Sequence, residues 1–279
     1  MTGHTREVDC LAVLPNDVLA SGSDDRTINL WNTKNAALIR TLYGHTLPVE
    51  SLAALDDGTL ASGSDDKTIN IWNPNNGQII RTLVGHTRSV EALVQLPDGT
   101  LASGSEDRTV RLWDVETGEL LNTLEHTRSV DCLAVLEDGA LAAGSEDRNI
   151  YIWEPSTGEL LAVLSGHRDD VVSLAALPNG RLASCDDRSI KIWDLESGQE
   201  INSFRGHRGD ITFVAALADG TLASGSEDRT INIWNPDNGQ IIRTLTGHRN
   251  EILALAVLED GTLASASEDR TIRLWNTKY

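Results

Sequence analysis

Apolar residues along this chain fall in short runs of four to eight, rich in Val, Ile, Leu and Thr and separated by turn residues, which predicts β-strands and not helices. Over one representative stretch the runs are Val49 to Leu55, Thr59 to Gly63, Thr68 to Trp72 and Gln78 to Leu83, termed strands a, b, c and d. Asp-Gly or Asn-Gly joins a to b in six places, as at Asp57-Gly58 and Asn179-Gly180. This is a strong hairpin signal because both residues tolerate positive φ. The c/d connection ends in Gly in five of its six occurrences, for example Gly77, Gly118 and Gly239, as a left-handed position after a type I turn requires. Ala36 stands there in the first unit, where Asn35 is expected to take the unusual backbone geometry instead. Each unit therefore reads as an antiparallel meander.

The meander is written seven times. Trp31, Trp72, Trp113, Trp153, Trp193, Trp234 and Trp275 lie 40 or 41 residues apart, and the seven histidines, His4, His45, His86, His126, His167, His207 and His248, keep nearly the same step. Repeats fall at about 3–43, 44–84, 85–124, 125–165, 166–205, 206–246 and 247–279. A four-stranded sheet with two apolar faces must stack on neighbours, and a radial stack closes when the last sheet meets the first. The expectation is an all-β, seven-bladed propeller in one domain. The seventh unit ends after strand c, so the last blade should lack its outer strand, with Met1-Thr2 too short to supply it. Thr271 to Trp275 is then an open edge, and open edges invite pairing with another chain. Either the chain is a piece of a longer array, or the edge recruits a strand from a partner or a second copy.

Particular residues now carry a family likeness: the Gly-His pair, the Leu-Ala-Ser-Gly-Ser run, an Asp six residues before each Trp, and Trp-Asp, Trp-Asn or Trp-Glu closing strand c. The chain resembles the WD-repeat β-propellers over essentially its whole length. Only Trp113-Asp114 and Trp193-Asp194 keep the literal dipeptide. The resemblance implies a buried hydrogen-bonded chain of His, Ser, Asp and Trp in each blade, which in the second would be His45, Ser62, Asp66 and Trp72. Two units depart from it. The fourth has Ala143 in place of the Ser and no Gly before His126, and the fifth is one residue short at Ser184-Cys185-Asp186. These two should be locally the weakest. The blades are also unusually alike, as after recent amplification or consensus-based design.

Charge narrows the choice of partner. The net charge is −19, which repels phosphate backbones and anionic lipid surfaces, so neither nucleic acid nor membrane is expected. Basic proteins or peptides fit better. Cys10, Cys132 and Cys185 are odd in number and lack CxxC spacing, and there is no Asn-x-Ser/Thr acceptor, which together point to a cytoplasmic, soluble protein. The cysteines read as small apolar fillers. Ser, His and Asp recur in every unit beside a Trp, a structural pattern and not a uniquely activated nucleophile, so no enzyme is expected. Histidines spread one per blade cannot converge on one ion, and no loop offers a calcium ligand set, so neither metal nor cofactor is expected.

In the resembled family, the loops leading into strand a and those between b and c open on one face near the central channel, the usual docking surface. Acids crowd those positions. One precedes each presumed structural Asp, at Asp24, Asp65, Glu106, Glu146, Asp186, Glu227 and Glu268, and others flank the start of strand a, at Glu7, Asp9, Glu50, Glu91, Asp131, Asp170, Asp210 and Glu251. Arginines share these loops but are outnumbered. Blades one to four carry Asp9, Glu50, Glu91 and Asp131 where the later blades have Val172, Thr212 and Leu253. Phe213 is the one large side chain at a position otherwise small, which makes it a candidate apolar anchor. The sequence thus predicts a noncatalytic scaffold that docks a basic protein or peptide on its acidic face. The alternative is a self-assembling or engineered propeller without a specific ligand, pairing through its open edge.

Overall fold

Each repeat folds as the meander its turns demand. The structure, a computed structural model, describes residues 1–277. The first blade runs Val8–Leu14, Val18–Ser23, Thr27–Asn32 and Leu38–Tyr43, paired antiparallel in chain order. Five more sheets repeat this order, and the seventh has three strands, Ile252–Val257, Leu263–Ser267 and Ile272–Trp275. The seven a strands stand side by side around the axis, and Val8–Leu14 packs on both Val49–Ala54 and Ile252–Val257, which closes the ring. No helix among the described residues is long and apolar enough to cross a membrane.

The core lies between blades. Ile28 and Leu30 of blade one pack with Leu60 and Trp72 of blade two, and Trp31 of blade one packs with Leu258 and Ile272 of blade seven. Each indole thus fills the interface with the preceding sheet, a large apolar burial with a polar N–H that must find a partner. The approach is close at the b strands. A Cβ on Gly63 would stand 2.4 Å from Ser51 Oγ and 2.6 Å from Val90 Cγ1 of the next blade, so only glycine fits.

The turns depart from expectation in instructive ways. Asn16-Asp17 and Asn179-Gly180 take positive φ at both residues, whereas the other a/b turns use the glycine alone, as in the 2.9 Å bond from Gly58 N–H to the Leu55 carbonyl. Those are type I turns followed by one left-handed residue. In the first c/d turn Ala36 itself is left-handed, with φ of 58°, and not Asn35, whose side chain instead accepts a bond from the Ala37 N–H at 3.0 Å. A side chain at such φ costs about 1–2 kcal/mol, partly offset by the flexibility a glycine would bring to the unfolded chain. Ala36→Gly should therefore stabilise the protein by about 0.5–1 kcal/mol, read as a rise in the urea midpoint without a change in slope.

The b/c turns hold a feature absent from the sequence reading. The basic residue after the structural Asp, at Arg26, Lys67, Arg108, Arg148, Arg229 and Arg270, has φ near 70°. The Asp side chain fixes this turn: in the first blade Asp25 Oδ1 accepts from Thr27 N–H at 3.1 Å and from Thr27 Oγ1 at 2.5 Å.

Met1-Thr2 is too short to form an outer strand, as expected, but it does pair with the edge of the three-stranded blade. Thr2 bridges Thr271, the Met1 amino group donates to the Ile272 carbonyl at 2.6 Å, and Ile272 N–H donates to the Met1 carbonyl at 3.0 Å. Two residues thus cover the start of the edge and leave the rest without a described strand beside it.

Candidate functional site

The recurrent polar chain is assembled as the resemblance implied. In the second blade His45 Nδ1 lies 2.9 Å from Asp66 Oδ2, His45 Nε2 lies 2.7 Å from Ser62 Oγ, and Trp72 Nε1 donates to the same Ser62 Oγ at 2.7 Å. This geometry orders the protons. The indole donates to the serine, the serine hydroxyl to Nε2, and Nδ1–H to the carboxylate. Burial raises the Asp66 pKa, but bonds from His45, Thr68 and the Thr46 amide outweigh it and hold the group well below the usual carboxylate range. The serines of these sets are fully buried, so the Ser-His-Asp sets serve as ties between strands.

Blade four breaks the pattern. With Ala143 in the serine position, both ring nitrogens of His126 and the Trp153 Nε1 are buried without a partner. His126 packs edge-on against Tyr151 and Trp153, and Tyr151 OH donates to Asp147 Oδ2 at 2.6 Å. Thr127 Oγ1 also bonds Asp147. Burial pushes the His126 pKa down to about 4, although Asp147 raises it slightly. Blade five, by contrast, keeps all three bonds despite its missing residue, because Asp186 and not Asp187 meets His167 Nδ1, at 3.0 Å. Asp186 is therefore a buried network residue, and Asp187 takes the neighbouring turn position, its pKa raised by burial and by Asp210 and Asp169. The one-residue deletion shifted the assignment made from sequence.

The channel is where the chain is least symmetrical. Strand a carries a β-bulge in every blade but the fifth, and the extra residue is Asp9, Glu50, Glu91, Asp131, Thr212 or Leu253. A bulge re-aims one side chain out of the ladder. All four acids line a cavity of about 160 Å³ on the axis, together with Val172, Phe213 and Ala254 from the other three blades. Thr212 turns away and donates to the Ile252 carbonyl at 2.5 Å. The cavity is thus acidic on one side and apolar on the other.

These four carboxyls are half-buried and form none of the ion pairs found among the described residues. Burial, and then Asp24, pushes Asp9 up to about 7, while burial and Asp9 push Glu50 up to about 9. Burial and Glu146 push Asp131 up to about 7 even though Ser129 donates to it, and Glu91 is raised chiefly by burial. Asp9 Oδ2 is buried without a hydrogen-bond partner.

A family model described as WD domain, G-beta repeat matches residues 1–32, 36–73, 77–114, 118–154, 158–194, 198–235 and 239–276. The chain belongs to the WD40 family. Each matched segment from the second onward starts in one blade's outer strand and continues through the inner three strands of the next, so successive blades are stitched together by sequence repeats that straddle them. Comparison with curated proteins gives no match. WD40 propellers generally serve as protein-interaction scaffolds and are typically noncatalytic.

The remaining acids that the sequence singled out in this WD40 propeller lie in the loops leading into strand a or between strands b and c. Glu106, Glu146 and Glu227 are exposed, and Glu7, Asp24, Asp65, Asp170, Asp210, Glu251 and Glu268 are partly exposed. Their pairs with arginine are long, 3.8 Å for Arg6–Asp24 and 3.9 Å for Arg88–Glu106, and contribute little in water. Phe213 lines the channel and also packs on the cores on both sides of blade seven, the one shared with blade six and the one between blades seven and one. Two cysteines do more than fill space: Cys10 Sγ donates to the Val49 carbonyl at 3.4 Å and Cys132 Sγ to the Val171 carbonyl at 3.2 Å, each across a blade interface. No group of three or more His, Cys, Asp or Glu among the described residues is arranged to hold a metal ion.

Proposed function

We propose that this propeller docks a basic peptide segment over the acidic mouth of its channel, one cationic side chain entering between Asp9, Glu50, Glu91 and Asp131 while an apolar neighbour packs on Phe213 and Val172. The observation that carries this reading is the set of four re-aimed, unpaired carboxyls facing an apolar wall across one cavity. Half-buried acids without a countercharge hold protons at neutral pH, so the site is poised and not fully charged. A bound cation reverses that balance. It favours the ionised carboxylates, and affinity should therefore rise as pH increases from about 6 to 8, through the region near 7 to which burial pushes Asp9 and Asp131.

A peptide library with Arg or Lys fixed at one position tests the reading. Enrichment on the wild type should vanish on a variant carrying Asp9→Asn, Glu50→Gln, Glu91→Gln and Asp131→Asn. Equal enrichment on both proteins would contradict it. Phe213→Ala should weaken the enriched sequences about tenfold, in line with the loss of one aromatic anchor.

A further inference from the structure

An asparagine followed by glycine is prone to lose its side-chain amide, because the unhindered glycine nitrogen can attack the neighbouring Cγ, and an aspartate before glycine can close the same ring. The chain holds three Asn-Gly and five Asp-Gly pairs, all of them in turns. Seven of the eight are held in one way. The glycine N–H donates to a backbone carbonyl three or four residues back, which is a very weak base, and the side-chain Oδ1 accepts from the amide of the residue after the glycine. At Asn76 the bonds are 2.8 Å from Gly77 N–H to the Asn73 carbonyl and 2.9 Å from Gln78 N–H to Asn76 Oδ1. Asn238 repeats them, with Gly239 N–H on the Asn235 carbonyl and Gln240 N–H on Asn238 Oδ1, both at 2.9 Å.

Asn179-Gly180 is the exception. Blade five passes from strand a to strand b with Leu177 opposite Arg181, and φ is 64° at Asn179 and 65° at Gly180. With both residues left-handed, the glycine N–H leaves the turn and donates to Glu137 Oε2 of blade four at 3.1 Å. A carboxylate is a far stronger base than the carbonyls that meet the other seven glycine nitrogens. The Asn179 side chain is exposed and makes no hydrogen bond among the described residues, so nothing holds its amide away from the nitrogen. Glu137 is exposed as well, which leaves the pair open to water.

We infer that Asn179 is a self-modifying site, converted to aspartate and isoaspartate through its own backbone with Glu137 as the base. Glu137 Oε2 takes the Gly180 amide proton as the nitrogen attacks Asn179 Cγ. The new N–Cγ bond closes a five-membered imide, the Cγ–Nδ2 bond breaks, and the amide group leaves as ammonia with the proton that Glu137 returns. Water then opens the ring, giving aspartate by attack at Cγ and isoaspartate by attack at the backbone carbonyl. Both products set a second carboxylate near Glu137, and isoaspartate lengthens the main chain by one methylene within the link from Leu177 to Arg181. The same turn receives the Leu195 N–H on the Gly180 carbonyl at 3.0 Å, and Arg181 bonds the Pro178 carbonyl at 3.3 Å and Asp237 of blade six at 2.7 Å. Conversion therefore loosens a set of ties that joins blades four, five and six, and it accumulates with the age of the molecule.

The test is incubation of the native protein for several weeks at physiological temperature between about pH 6 and 8, with the urea-unfolded chain as reference. Peptide mass spectrometry follows the exchange of NH2 for OH at the three asparagines. The unfolded chain should convert all three at similar rates, rising about tenfold per pH unit as hydroxide supplies the base. In the native protein Asn179 should convert at least about tenfold faster than Asn76 and Asn238, with a much shallower pH dependence because the carboxylate replaces hydroxide. Glu137→Gln keeps an acceptor for the Gly180 N–H but removes the base, so it should slow Asn179 about tenfold and restore the steep pH profile. Native conversion at Asn179 no faster than at Asn76 and Asn238 would overturn the site, and a Glu137→Gln rate and pH profile matching wild type would overturn the role of the carboxylate. Neither Asn179 nor Glu137 lines the channel, so the proposed function is untouched by either result.

Discussion

Asp9→Asn, Glu50→Gln, Glu91→Gln and Asp131→Asn introduced together should raise stability at pH 8 by on the order of 3–5 kcal/mol, about 5–10 °C in melting temperature. The sign follows from the direction of the shifts. Each carboxyl binds its proton more tightly in the folded state than in the unfolded chain, Asp9 and Asp131 up to about 7 and Glu50 up to about 9. Their contribution is fully favourable below pH 4 and is lost as pH rises through those values, because folding then holds acids against burial and one another. The gain falls well short of the summed shifts because the four groups are coupled and titrate as a set. Thermal scans of both proteins between pH 5 and 9 check this. The wild type should lose stability on the alkaline side while the variant stays nearly level. Parallel curves would mean that the cluster carries no strain.

A second large effect is expected from the buried serine. Ser62→Ala leaves the Trp72 indole N–H and His45 Nε2 without their shared partner, and two unsatisfied buried groups cost roughly 2–5 kcal/mol. Blade four already has that defect, so Ala143→Ser should do the reverse and add about 1–3 kcal/mol by giving Trp153 and His126 a common oxygen. Chemical denaturation of the two single variants against wild type measures both. Acid sharpens the comparison. His126 is pushed down to about 4, so the unfolded chain takes up a proton that the folded state refuses, and stability is lost between about pH 6.5 and 4, by up to about 3 kcal/mol. The channel acids gain stability over the same interval, so the histidine's contribution is best read in the four-amide background.

The two defects illustrate what one sequence can and cannot show. Periodicity was enough for the blade count, the meander order and the short seventh blade, since each depends on spacing alone. The polar chain was legible because its four residue types recur at fixed offsets. The deletion in blade five was visible but could not be placed: Asp186 and Asp187 are chemically alike, and only the partner across the turn, His167, distinguishes them. The same limit hid the β-bulges. A bulge is a mismatch between two strands, and the acidic character of Asp9, Glu50, Glu91 and Asp131 was plain while their turn into the channel was not. Left-handed Arg26 and its equivalents escaped notice because the Asp-Thr bonds impose a geometry that the arginine does not itself favour.

Chain asymmetry carries the functional reading. Seven near-identical units would give a channel with uniform walls, yet four adjacent blades present acids and the next two present Val172 and Phe213. Nothing in blade packing requires that division, because the same backbone position accepts Thr212 with its hydroxyl bonded to the neighbouring blade. A ligand with a charged end and an apolar flank would use both halves at once.

Calorimetry of an enriched basic peptide in two buffers of different ionisation enthalpy at pH 7.5 addresses the proposal at its root. Entry of a cation among Asp9, Glu50 and Asp131 must expel protons, so the measured heat should depend on the buffer and report net proton release, and the four-amide variant should show neither the release nor the affinity. Binding of full strength with no proton released would place the peptide elsewhere on the disc.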